Sequence, residues 1–354
     1  MRRTLLFFMS LTAAATAADL KWLRMPDLPG KEGFAGSFAG VYEGSLLVAG
    51  GTNFPDKMPW DGGTKVWYDT AFWFDESKAE WRILGTLSKP KGYGVSISTS
   101  GGVILIGGGN ATEHFRDVLR LPIRTYALLP KPCAFMAGCM LDDVIYIAGG
   151  IETPTATNAM NTFWSLDLKE PNAKWQELPP CPGKPRILAC MAAANGAVHL
   201  FSGAALKPGP DGKPEREWLN DAWSYTPPSR SGERQLADSE GRLTSSSTGW
   251  QKLPDMPRVA VAAPNPAPVV DDKILIIGGD DGALVNFEPK SKHPGFPRDV
   301  LAFDLKSQSW SRAGEVPFSL VTTNAVLWND QIVIPGGEAR PGVRSPQVWS
   351  ANKK

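Results

Sequence analysis

One pattern recurs six times along the 354 residues and limits the fold more than any other feature. A short, mostly apolar run ends in a glycine pair in Leu46-Leu47-Val48-Ala49-Gly50-Gly51, Val103-Ile104-Leu105-Ile106-Gly107-Gly108, Ile145-Tyr146-Ile147-Ala148-Gly149-Gly150 and Ile274-Leu275-Ile276-Ile277-Gly278-Gly279. Val198-His199-Leu200-Phe201-Ser202-Gly203 and Ile332-Val333-Ile334-Pro335-Gly336-Gly337 are looser copies. Each run has the length and β-branched character of a buried strand, and glycine permits the backbone conformation or close packing that a side chain would obstruct. A unit recurring every 42 to 76 residues cannot bury its apolar face alone, so the copies must stack on one another.

Other signals share this period. After most glycine pairs comes an aromatic residue, a turn and a tryptophan, as in Phe74 to Trp81 and Phe303 to Trp310. Leu-Pro-type exits follow at Leu178-Pro179, Leu253-Pro254 and Val316-Pro317. Short runs bounded by Gly, Pro, Asn and Asp read as strands, with no convincing long amphipathic helix among them. The spacing and the glycine pairs resemble the kelch repeat, which implies an all-β, six-bladed kelch-type β-propeller with four antiparallel strands per blade. The sixth unit ends after Val348-Trp349-Ser350 without a fourth strand, while Leu20-Lys21-Trp22-Leu23-Arg24-Met25-Pro26 carries the missing Trp and exit. The N-terminal strand is therefore expected to complete the C-terminal blade and close the ring, leaving no free sheet edge.

Residues 1–18 begin with Arg2 and Arg3, continue through Leu5-Leu6-Phe7-Phe8-Met9 and end in small residues, the layout of a cleavable signal peptide. The apolar core is too short to span a bilayer, and no later run approaches the roughly twenty residues needed. The expectation is a periplasmic or secreted protein without stable membrane insertion, its residues 19–354 forming one propeller domain. Removal of both arginines takes the formal charge from +1 to −1; with no basic cluster, nucleic acid is not an expected partner. Cys133, Cys139, Cys181 and Cys190 lack metal or redox spacing and read as small buried thiols or one structural bridge. Three scattered histidines form no metal cluster, and His199, inside an apolar run, reads as a packed side chain. Residues 226–249, rich in Ser, Arg, Gly and Glu, read as a flexible surface insertion between two strands.

In a four-stranded meander, the link between strands two and three emerges on the same face as the link to the next blade. That face gathers the segments after the glycine pairs, the long loop from Thr52 to Asp69, and the crossings near Phe34, Tyr93, Arg186 and Arg258, which together make a binding funnel. Glu338 directly follows a glycine pair, with Arg340 and Arg344 close behind. A guanidinium keeps such a carboxylate ionised, and arginine clasps a substrate carboxylate through two parallel hydrogen bonds. On residue types alone, a plain loop salt bridge is the commoner outcome.

The stretch Gly337-Glu338-Ala339-Arg340-Pro341-Gly342-Val343-Arg344 resembles the glutamate motif of the kelch-type N-acetylneuraminate epimerases, or sialic acid mutarotases. Gly33-Phe34-Ala35-Gly36 with Phe38-Ala39-Gly40-Val41, and Gly92-Tyr93-Gly94-Val95-Ser96, resemble further segments of the same enzymes. The resemblance implies that Glu338 is the proton acceptor and Arg344 a substrate-binding residue, with Lys65, Tyr93 and Arg340 orienting the substrate. The glutamate motif ends the chain instead of preceding the Phe-Ala-Gly blade, so the order is that of a cyclically permuted member. Arg340 stands in place of a lysine, and the Asn53-Phe54-Pro55-Asp56-Lys57 loop has no counterpart.

The implied reaction interconverts the anomers of an acidic sugar by ring opening and closure. One carboxylate can shuttle the protons, and no cofactor or metal is called for. The competing readings are a non-catalytic propeller that binds a glycan or protein partner, and a copper-radical oxidase, which needs two histidine ligands and a Tyr–Cys pair. Nothing in the residues sets the oligomeric state, and a homo-oligomer is compatible with them.

Overall fold

The computed structural model describes residues 20–122, 124–210, 212–228 and 248–353. The leader and the bulk of the 226–249 insertion lie outside these residues. Six four-stranded antiparallel sheets are arranged as the blades of a propeller. Blade one comprises Phe38–Tyr42, Ser45–Ala49, Thr70–Asp75 and Glu80–Thr86; blade five comprises Val269–Val270, Lys273–Ile277, Asp299–Asp304 and Ser309–Glu315. Blade six takes Val326–Trp328, Gln331–Pro335 and Val348–Lys353 from the C-terminal end and Leu20–Met25 from the N-terminal end, with Trp22 opposite Ala351. Among the described residues no helix is long and apolar enough to cross a membrane.

The recurring apolar run is the second strand of each blade. Its side chains are buried on both faces and pack between neighbouring blades, as Ile104 and Ile106 do with Ile145 and Ile147. The glycines then turn the chain, since both members of five pairs lie in the left-handed region, at +66° and +122° for Gly336 and Gly337. In blade four, made of Cys190–Ala194, Ala197–Phe201, Ala222–Thr226 and Gly249–Leu253, Ser202 takes the first place at φ +54°. Its hydroxyl offsets the conformational cost by accepting from the Ala260 amide and donating to the Leu219 carbonyl, both at 2.8 Å.

Two contacts repeat from blade to blade. Tryptophans in or next to the fourth strand donate their indole N–H to the exit of the preceding blade: Trp81 to Pro26, Trp175 to Ala127, Trp250 to Pro179 and Trp310 to Pro254, at 2.8–3.0 Å. Around the axis, Gly36, Tyr93, Phe135, Leu188, Ala262 and Thr322 each have a positive φ. Each donates its amide to the carbonyl of the one before, and Gly36 donates to Thr322, making a closed cycle of six bonds of 2.7–2.8 Å. The side chains of this cycle form the floor of a funnel.

The four cysteines are buried free thiols. Burial pushes Cys190 up to about 12 and Cys133 and Cys139 up as well, so thiolate chemistry is suppressed. His199 is packed beside Phe201, with burial lowering it to about 4.

Candidate active site

Immediately after each turn, one residue bridges back to the segment entering its own blade. These residues are Thr52, Gly109, Ile151, Ala204, Asp280 and Glu338, bridged to Ala35, Gly92, Ala134, Ile187, Val261 and Val321. They ring the wall above the floor, and only two of the six carry a carboxyl group.

Glu338 opens a small hairpin, Glu338–Arg340 with Val343–Arg344, in which Glu338 faces Arg344 across the pair. Gly342 at its tip has φ +81°, and a Cβ there would lie 2.7 Å from Pro59 Cγ, so the Thr52 to Asp69 loop packs against the hairpin only because this residue is glycine. Glu338 Oε1 accepts the Gly342 amide at 2.7 Å and Arg344 Nη1 at 3.2 Å. The Arg344 side chain is only 4 % exposed, against 19 % for Glu338. Its Nη2 reaches the Tyr93 hydroxyl at 3.4 Å, and its guanidinium lies 4.8 Å from the centre of the Phe54 ring. Among the described residues its Nε has no hydrogen-bond partner. Buried guanidinium donors are ordinarily satisfied, so this edge is a ready seat for an anionic acceptor.

Tyr93 leans out from the floor, stacked on Phe135 at 4.6 Å and bonded to the Thr52 hydroxyl at 2.8 Å. The Lys65 ammonium sits 5.3–5.9 Å from the Phe54, Trp67 and Tyr93 rings, a cation in an aromatic corner. Glu338, Arg344, Tyr93 and Lys65 thus line one cavity of about 450 Å³, which Asp280, Arg216, Trp218 and His293 also line. A monosaccharide fits that volume.

Arg340 does not join them. A register shift between Glu338 and Arg340 breaks the two-residue alternation that would put both on one face. Its guanidinium instead donates to the Ser291 carbonyl at 2.9 Å, outside the group of residues that line the cavity. Sequence reading also passed over Asp280, although it stands at the same step after Gly278-Gly279 as Glu338 does after Gly336-Gly337. Burial raises the Asp280 carboxyl above its ordinary range, opposed by the Gly282 amide and the Arg216 charge. Arg216 and Trp218 come from a hairpin, Ala204–Pro208 with Pro214–Trp218, that departs from the four-stranded blade plan.

Residues 10–124 match the N-acetylneuraminate epimerase family, and residues 132–182 match the kelch motif. The chain is 24 % identical over 250 residues to an N-acetylneuraminate epimerase of Haemophilus influenzae strain PittEE, an alignment covering 64 % of this chain and 58 % of that protein. It is 39 % identical over 113 residues to the one from Yersinia pestis strain Pestoides F, covering 27 % and 28 %. The solved structure of YjhT superposes with a TM-score of 0.64 at 15 % identity, covering 92 % of this chain and 95 % of that one. The chain is thus a six-bladed propeller with a kelch motif, and about its first third is similar to the N-acetylneuraminate epimerases. Its alignments span a little under three fifths of the length of the first curated relatives.

Proposed function

We propose that this protein is a cofactor-independent isomerase that interconverts the α and β anomers of N-acetylneuraminate, or of a closely related acidic sugar, by opening and reclosing its ring. The observation that carries the reading is the Arg344 guanidinium, buried beside Glu338 with an unpartnered edge. In a 2-keto acid sugar the carboxylate is attached to the anomeric carbon. A carboxylate clasped by Arg344 therefore brings the anomeric hydroxyl beside the group Arg344 already touches, which is Glu338. Glu338, held by the guanidinium and the Gly342 amide, takes that proton as general base and returns one when the ring recloses. Holding the anomeric centre against its base accounts for the acceleration without a covalent intermediate.

A permuted blade order, expected from the place of the glutamate motif, is compatible with the same reading. A sequence alignment must break where the order changes, whereas a ring of similar blades superposes at any rotation, in keeping with partial sequence coverage beside nearly complete structural coverage. The leader pattern supports an exported setting.

The test is one-dimensional NMR of anomer exchange, starting from freshly released α-N-acetylneuraminate, with uncharged hexoses in parallel. Acceleration confined to the acid sugar is expected. Binding of the acid sugar with no acceleration over spontaneous exchange would replace the reading with a glycan-binding propeller.

A further inference from the structure

We propose that Asp280 is a second proton-transfer residue of this site, giving a proton to the ring oxygen while Glu338 takes one from the anomeric hydroxyl. This rests on the mutarotase reading and extends it. The placement follows from the ring of blades. Asp280 and Glu338 occupy the same step in adjacent blades, each held by a reciprocal pair of backbone hydrogen bonds to the entering segment. These measure 2.8 and 2.8 Å between Asp280 and Val261, and 2.8 and 3.0 Å between Glu338 and Val321. Both residues line the same cavity, while Thr52, Gly109, Ile151 and Ala204 at the other four places have no group that titrates near neutrality.

Their surroundings differ. Glu338 accepts from an amide and from a guanidinium. Asp280 accepts a single backbone hydrogen bond, from Gly282 at 3.0 Å, and among the described residues no Lys or Arg nitrogen forms an ion pair with it. The charges acting on it are those of Arg216, its neighbour Asp281 and Glu338, and the same cavity is lined by the titratable or charged Lys65, Tyr93, Lys290, His293 and Arg344. Burial, the largest influence on Asp280, raises it, and the negative charges of Asp281 and Glu338 act in the same direction. Two carboxyls at equivalent steps of adjacent blades, lining one cavity in different surroundings, can divide the roles of base and acid.

The step balances. Glu338 removes the anomeric hydroxyl proton, the released electron pair forms the carbonyl, the bond from the anomeric carbon to the ring oxygen breaks, and the ring oxygen takes the Asp280 proton. The open keto acid then lies between a protonated Glu338 and an ionised Asp280. After rotation the hydroxyl adds to the other carbonyl face, Asp280 recovers a proton from it, and Glu338 returns one to the new anomeric oxygen. Neither oxidant nor reductant is involved.

Asp280→Asn keeps the shape and the Gly282 contact but has no acid to give. Its kcat should fall at least 10-fold and by as much as about 10³-fold, and the alkaline limb of the pH–rate profile, which reports the acid, should vanish. A kcat and an alkaline limb both like those of the wild type would overturn the assignment. So would a lowered kcat with the limb intact, since that marks a structural effect. Arg216→Gln gives an independent reading if Asp280→Asn does not fold: without that positive charge the limb should move to higher pH, and an unmoved limb sinks the proposal. No acceleration by the wild type would instead refute the mutarotase reading itself, so the two failures are told apart.

Discussion

Blade four and blade six each hold an arginine against a carboxylate at the inner end of the propeller, and the two pairs are built for different ends. Arg186 grips Asp221 through two contacts of 2.6 and 2.7 Å, donates further to the Ser202 and Lys184 carbonyls, and the Trp223 indole completes the carboxylate at 2.6 Å. Four of its five N–H donors are engaged within the protein. Arg344 meets Glu338 through one contact of 3.2 Å, touches Tyr93 at 3.4 Å and, among the described residues, leaves Nε without a partner. The first pair is nearly saturated and structural. The second retains valences inside a cavity, at some cost in stability, because a buried unmet donor is unfavourable by roughly 1–3 kcal/mol. Saturation, more than the presence of an ion pair, separates the scaffold from the site.

Exchanging the roles of the two pairs tests that distinction. Glu338→Gln should lower the NMR-measured anomerisation rate by about 10³-fold, equivalent to about 4 kcal/mol in the barrier, with little change in melting temperature. Asp221→Asn should do the reverse: breaking a buried ion pair costs about 3 kcal/mol in denaturant unfolding, with KM and kcat nearly unchanged. Burial alone would raise Asp221, but the Arg186 hydrogen bonds and charge and the Trp223 contact hold it below its ordinary value. That stability is therefore present above about pH 4 and lost as the pH falls through the depressed folded value; Asp221→Asn should flatten this acid-side decline.

Arg344→Lys keeps the charge but loses the planar fork. It should raise KM for the acid sugar by about 10-fold, near 1.4 kcal/mol, and narrow the preference over uncharged hexoses. Arg340→Ala should change least, removing one exposed bond to Ser291 for about 0.5 kcal/mol or less of stability, with unchanged kinetics. A kinetic defect there would mean that the hairpin register shift does not keep Arg340 out of the site.

The blades were legible because five glycine pairs place two consecutive residues in a region that other residues rarely adopt, so the pattern marks a backbone necessity. Glu338 was legible for the same reason: a residue fixed directly after such a turn has little freedom of position. Arg340 was not, since its placement depends on one extra residue in a two-strand ladder, which composition does not announce. Asp280 stood in plain view at the equivalent step, hidden only because its blade has no accompanying arginine motif. Trp218 and Arg216 belong to a hairpin outside the repeat, and the packing that brings it to the cavity mouth leaves no periodic trace.

The closed cycle of six backbone bonds on the funnel floor has a consequence for how such a protein can change. The hydrogen bonds that close that floor are all main chain, while what a ligand would meet is set by the residues in it, now a glycine, a tyrosine, a phenylalanine, a leucine, an alanine and a threonine. A side chain can be exchanged there without removing a hydrogen-bonding group of the hoop, Gly36 excepted, where a Cβ would meet the Tyr93 ring at 2.6 Å. The floor behaves as a hub of fixed bearings with replaceable inserts, so specificity can drift over generations while the wheel stays true.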